Sequence, residues 1–89
     1  MNMTQPQEKT IALTEDHVCF GGMRLKYSLL VTPENCLPHY RIRACLGIES
    51  DEVEVGNDLF KALECYRRVV EGVVTPCTLE EVLKELKYA

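Results

Sequence analysis

Two adjacent glycines, Gly21 and Gly22, divide two extended segments, and they constrain the fold more than any other feature of the chain. Residues that accept positive φ between two strands predict a tight two-residue hairpin. Such a turn pairs Phe20 with Met23 and Val18 with Leu25, apolar against apolar. The following strand alternates. Met23, Leu25, Tyr27, Leu29 and Val31 share one face, and Arg24, Lys26 and Ser28 the other, with Leu30 the exception. A period of two with one apolar face belongs to an antiparallel sheet covered on one side. Ahead of the glycines, Thr10 to Leu13 reads as strand, and Thr14-Glu15-Asp16 interrupts it. His17 to Phe20 resumes on the opposite parity, which predicts a bulge or turn between. The segment is therefore one bulged strand or two short ones.

Downstream, Thr32 to His39 holds two prolines and reads as a loop. A third strand follows over about Tyr40 to Ile48, with Tyr40, Ile42, Ala44, Leu46 and Ile48 on one face and Arg41, Arg43 and Cys45 opposite. A turn at Ser50-Asp51 would set Ile48 against Val53, Leu46 against Val55, Glu49 against Glu52 and Gly47 against Glu54. After Gly56 the period becomes helical. Asn57 or Asp58 caps a helix whose stripe is Leu59, Leu63, Tyr66 and Val70, flanked by Phe60, Ala62 and Val69. Glu71-Gly72 ends it, with the glycine as a left-handed cap. Thr75-Pro76 opens a second helix, while Thr78 to Glu81 reads as a capping box, so either threonine serves as the cap. Leu79, Val82, Leu83 and Leu86 form its stripe, and it reaches about Lys87. The expected fold is α+β, an antiparallel meander of three to four strands followed by two helices packed on one face, in two layers. Residues 1–8 read as a disordered tail and 9–89 as one domain.

The chain has 89 residues with 46% hydrophobic, enough for one ordinary globular domain and too apolar for a disordered one. Its apolar runs, such as Leu29 to Val31, fall far short of the roughly 20 residues that a membrane span needs. Fourteen acidic against ten basic residues leave a net charge of −4, which disfavours a phosphate backbone as partner. No membrane and no nucleic-acid partner is expected. Met1 to Pro6 lacks the cationic and apolar pattern of a secretory leader, so a cytoplasmic protein is expected. The five cysteines then read as reduced thiols.

The C-terminal third, Val74-Thr75-Pro76 with Leu79, Glu81, Val82 and Leu86 after Glu71-Gly72, resembles a family of small uncharacterised proteins from clostridia and related Firmicutes. Tyr40, Ile42 and Gly47-Ile48-Glu49 fit the sheet part of that family, and the likeness covers about residues 23–87. The resemblance implies a bacterial cytosolic protein. It implies no activity.

Five constellations could carry chemistry. Cys36 and His39 have C-x-x-H spacing, and His17 and Cys19 lie one residue apart. Together they offer two sulfurs and two imidazoles, the ligand set of a tetrahedral metal site. The competing reading is a loop cysteine and two solvated histidines. Cys77, in the first turn of the second helix, stands where unpaired N–H groups favour a thiolate, although nucleophilic catalysis also needs a base beside it. Arg24, Lys26, Arg41 and Arg43 form a basic sheet face, which the register makes mixed by adding Glu52 and Glu54 and which carries no aromatic residue to stack on bases. Glu49, Asp51, Glu52 and Glu54 lack the pattern of a calcium loop and read as a charged hairpin. Leu30, Leu37, Val73, Val74 and Tyr88 lie off the main stripes and are expected to be exposed as a contact surface. No phosphate loop, nucleophile elbow or metalloprotease motif is present, so no catalytic residue, enzyme or cofactor is expected. The expected function is a protein-interaction module whose partner is another protein or a second copy in a homodimer. The alternative is a metal- or ligand-binding regulator using the Cys/His set.

Overall fold

The computed structural model describes residues 9–86. The expected tail of residues 1–8 lies outside them. Four strands form one antiparallel sheet in sequence order: β1 (Ile11–Phe20), β2 (Met23–Glu34), β3 (Leu37–Leu46) and β4 (Glu49–Glu54). Helix α1 (Leu59–Glu71), a 3-10 turn (Pro76–Thr78) and helix α2 (Leu79–Glu85) follow.

Gly21 and Gly22, at φ 58° and 81°, make the expected hairpin, with Phe20 opposite Met23 and Val18 opposite Leu25. β1 is one strand. Its register shifts between Ala12 and Thr14, so Leu13 takes the extra position and the parity of Ile11 reconciles with that of Val18. The irregularity precedes Glu15-Asp16 and does not fall on it.

The segment 32–39 is strand and not loop. Only Asn35 and Cys36 turn, both at positive φ (54° and 67°), the geometry of a type I′ hairpin. Pro33 lies directly opposite Pro38. With Glu34 and Leu37 closing the two-residue turn, the proline pair falls at a site where neither N–H is required by the partner strand. The prolines therefore cost the ladder no bond.

The β3–β4 register also differs from expectation. The turn is Gly47-Ile48, with Gly47 at φ 62°, and Val53 faces Ile42 instead of Ile48. Both registers keep Val53 on the apolar face. The observed one sets Glu52 against Arg43 and Glu54 against Arg41, where the other sets Glu49 against Glu52. Opposite charges across a strand pair stabilise it and like charges do not.

Asp58 caps α1, its carboxylate accepting from Phe60 N and Lys61 N. Gly72 is right-handed (φ −84°), and the left-handed position falls one residue later on Val73 (φ 51°). A methyl group on Gly72 would approach the Arg68 carbonyl to 3.1 Å, so the glycine is there for closeness. Neither Thr75 nor Thr78 makes a side-chain cap; instead their hydroxyls bond each other at 3.1 Å. α2 ends at Glu85, before the expected Lys87.

The core lies between the sheet and the helices. Leu25, Tyr27, Leu29, Ile42 and Ala44 of the sheet meet Ala62, Val69, Leu79 and Leu83 of the helices. Tyr27 donates to the Val74 carbonyl at 2.6 Å, tying the sheet centre to the connection between the helices. Among the described residues no buried side-chain polar atom lacks a hydrogen-bond partner.

Candidate interaction surface

The helix layer is centred on β2, β3 and β4: α1 lies over β2 and β3, the 3-10 turn over β3 and β4, and α2 over β4. β1 meets the core through the half-buried Val18 and through the Tyr66 hydroxyl of α1, which donates to Asp16 at 2.7 Å and lies 3.3 Å from the Tyr27 carbonyl. Burial, the bond to Asp16 and the nearby acidic charges all push the Tyr66 phenol well above its ordinary range. At 13 residues α1 is about 20 Å long. β2, at 12 residues, runs about 40 Å. The helices thus cover only part of the sheet.

What remains open is apolar. Leu59 and Leu63 belong to the Tyr66 stripe of α1, on its β1 side, yet stay 38% and 40% exposed, and Phe60 is 82% exposed. The expectation that Leu59 and Leu63 are core is therefore corrected. The buried face of α1 is Ala62, Cys65, Tyr66 and Val69. Ile11, Leu13, Phe20 and Met23 are also exposed, along β1 and its hairpin. Ile48 stands fully free in its turn.

The residues expected to form a contact surface are not brought together. Leu30 and Val74 are buried. Leu30 sits on the outer sheet face opposite Arg41 and Ala12, among long side chains that cover it. Val74 is folded into the core beneath α1. Val73 is half-buried and packs against the same core. Leu37 is exposed, at the far hairpin end. Tyr88 lies outside the described residues.

The four proposed metal ligands are separated. His17 lies opposite Lys26 and His39 opposite Thr32, positions about 20 Å apart along β2. Cys19 and Cys36 sit near opposite ends of the sheet. His39 is engaged instead by two carboxylates, Nδ1 at 2.9 Å from Glu54 and Nε2 at 3.4 Å from Glu34, which links three strands. No group of three His, Cys, Asp or Glu side chains arranged for a metal occurs among the described residues.

Cys77 is exposed in the 3-10 turn ahead of α2, with Thr75 Oγ1 at 3.6 Å. Both histidines project from the sheet face opposite the helices, so neither is placed as its base. All five cysteines are free thiols. The basic face is mixed as expected. Glu52 receives Arg43 at 3.0 Å and Arg41 at 3.6 Å, and Lys26 meets Glu15 at 3.2 Å. A cleft of about 410 Å³ beside α1 holds Asp58, Lys61, Glu64 and Arg68 over Cys65. Burial, with Glu64, pushes the Cys65 thiol up, which keeps it protonated and unreactive.

No helix among the described residues is long and apolar enough to cross a membrane. Comparison with known proteins gives no match among family models, curated proteins or solved structures.

Proposed function

We propose that the chain is a small protein-interaction module without catalytic activity, working through the α1–β1 side of its helix layer. One observation carries the reading: Leu59, Phe60 and Leu63 of α1 stand exposed, as do Ile11, Leu13 and Phe20 of β1, on which the helix layer is not centred. A monomer that leaves such residues together in water has left part of its apolar stripe for another surface. Phe60 is the anchor residue, being large, apolar and almost free. The Cys/His regulator is not favoured, because His17 and Cys19 lie far from Cys36 and His39. A cytoplasmic setting agrees with five free thiols.

The test is in-cell cross-linking of the wild type and of a Phe60→Ser, Leu63→Ser double variant. The wild type should give a discrete cross-linked species that the variant loses, while both keep the same circular dichroism spectrum. Equal cross-linking, or none in either, sinks the reading.

A further inference from the structure

We propose that the cleft beside α1 binds a small organic carboxylate, with its charge on Lys61 and its apolar body on the floor formed by Val55, Cys65 and Leu86. This goes beyond the interaction reading above. Lys61, Cys65 and Arg68 follow one another at helical spacing, about half a turn around α1 from Leu59 and Leu63. The cleft encloses about 410 Å³, within the roughly 300–1,000 Å³ of small-molecule pockets. Its floor is apolar. Val55 is 1% and Cys65 8% exposed, and Leu86 is half-buried. Burial pushes the Cys65 thiol up, and a thiol that stays protonated packs as a small apolar group.

The charges at the rim select the sign of the ligand. Asp58, Lys61, Glu64 and Arg68 line it. Asp58 is committed to the helix, its carboxylate accepting from Phe60 N and Lys61 N. Glu64 is held by Arg68 at 3.3 Å. Lys61 forms no ion pair among the described residues, so it is the rim charge left to match. Arg68 spends one hydrogen bond on Glu64, and a guanidinium has five donors. Lys61 stands one turn before Cys65 and Arg68 one turn after it. Both lie close enough to the thiol for their charges to oppose the rise in its pKa. A carboxylate set over Cys65 therefore has a cation on either side. A cationic ligand would meet the same two charges and find both acids engaged. A phosphate dianion carries more charge than one unmatched ammonium neutralises, and it would stand beside Asp58 and Glu64. A monoanion with an apolar body suits both the rim and the floor.

The experiment is an amide NMR titration of the full chain with benzoate, beside the neutral benzamide. Benzoate should move the signals of Lys61, Cys65 and Arg68 and saturate, with a Kd of roughly 1–10 mM for a fragment of that size. Benzamide should bind about threefold or more weakly, the worth of one exposed charge contact. Lys61→Gln should cost benzoate the same factor and leave benzamide unchanged. Position 61 is an exposed helical site, where such a change leaves the fold intact. Arg24 is the control for plain ion pairing, because it too is exposed and forms no ion pair among the described residues. Shifts that do not saturate, or that are as large at Arg24 as in the cleft, overturn the proposal. So does a benzamide affinity equal to that of benzoate, or a benzoate affinity that K61Q leaves unaltered. None of these outcomes touches cross-linking through Phe60 and Leu63, so the two readings fail separately.

Discussion

β1 and β2 are neighbours in one sheet, β1 at its edge and β2 inside it, and their side chains have nearly opposite surroundings. Leu25, Tyr27 and Leu29 of β2 are fully buried, whereas Ile11, Leu13 and Phe20 of β1 are 42–55% exposed. Pairing joins the backbones of both strands, but burial depends on what lies above. A helix covers a strip about 10 Å wide, and this chain lays its helices over β2 to β4. β1 is held by its ladder, by the Glu15–Lys26 pair, by Val18 against the core and by the Tyr66 hydroxyl. The difference separates two kinds of apolar residue in one sequence: those that make the fold and those that the fold leaves available.

The largest effect should come from truncating matched isoleucines on the two sides. Ile42→Ala removes a fully buried side chain and should cost about 2–5 kcal/mol in denaturant unfolding. Ile11→Ala should cost well under half as much. Equal costs would mean that β1 is covered in solution and would break the comparison. Next comes the contact that joins the regions. Tyr66→Phe removes the bond to Asp16 and should cost about 1.5–3 kcal/mol, with amide exchange in β1 rising more than in β3. Uniform acceleration would show that the hydroxyl does not hold the edge in particular.

The same phenols give a pH signature. Burial raises Tyr27 to about 12 and lifts Tyr66 further, against about 10 in an unfolded chain. A raised phenol favours the folded state while it is neutral. This contribution is complete below pH 10 and is lost as pH rises from 10 through 12. Thermal melts should fall across that window, and Tyr27→Phe should flatten the fall. The smallest effect is local. Val73 is β-branched at φ 51°, a left-handed conformation that costs roughly 1–2 kcal/mol outside glycine. Val73→Gly should raise stability by about 0.5–1 kcal/mol once the glycine's added chain entropy is offset. A loss would show that its half-buried packing outweighs the strain.

Much of this architecture is legible in the residues. Period two from Met23 to Val31 and from Tyr40 to Leu46 marks the apolar face, and the change of period after Gly56 marks the helices. The β3–β4 register was harder to read, because sliding a strand by an even number of residues leaves every side chain on its face. The deciding signal was the charge pairing of Arg41 and Arg43 with Glu54 and Glu52. The Asn35-Cys36 turn was hidden by Pro33 and Pro38, which look like breakers until they are seen opposite each other. The exposure of Leu59 and Leu63 was not legible at all. Their spacing is that of a core stripe, and only the width of the sheet beneath α1 determines that half the stripe is uncovered. Leu30 errs in the other direction. It breaks the alternation, yet cross-strand neighbours bury it on the outer face.

The sequential strand order has a consequence during synthesis. Each strand pairs only with its neighbour in the chain, so the whole sheet can assemble at a ribosome before residue 59 emerges. Leu25, Tyr27, Leu29 and Ile42 then form a wet apolar surface with no cover. It persists for the seconds that about 30 further residues need at roughly 5–20 residues per second. A nascent chain of this protein is stickiest just before α1 appears, and that interval is when a chaperone or a second nascent copy would find it.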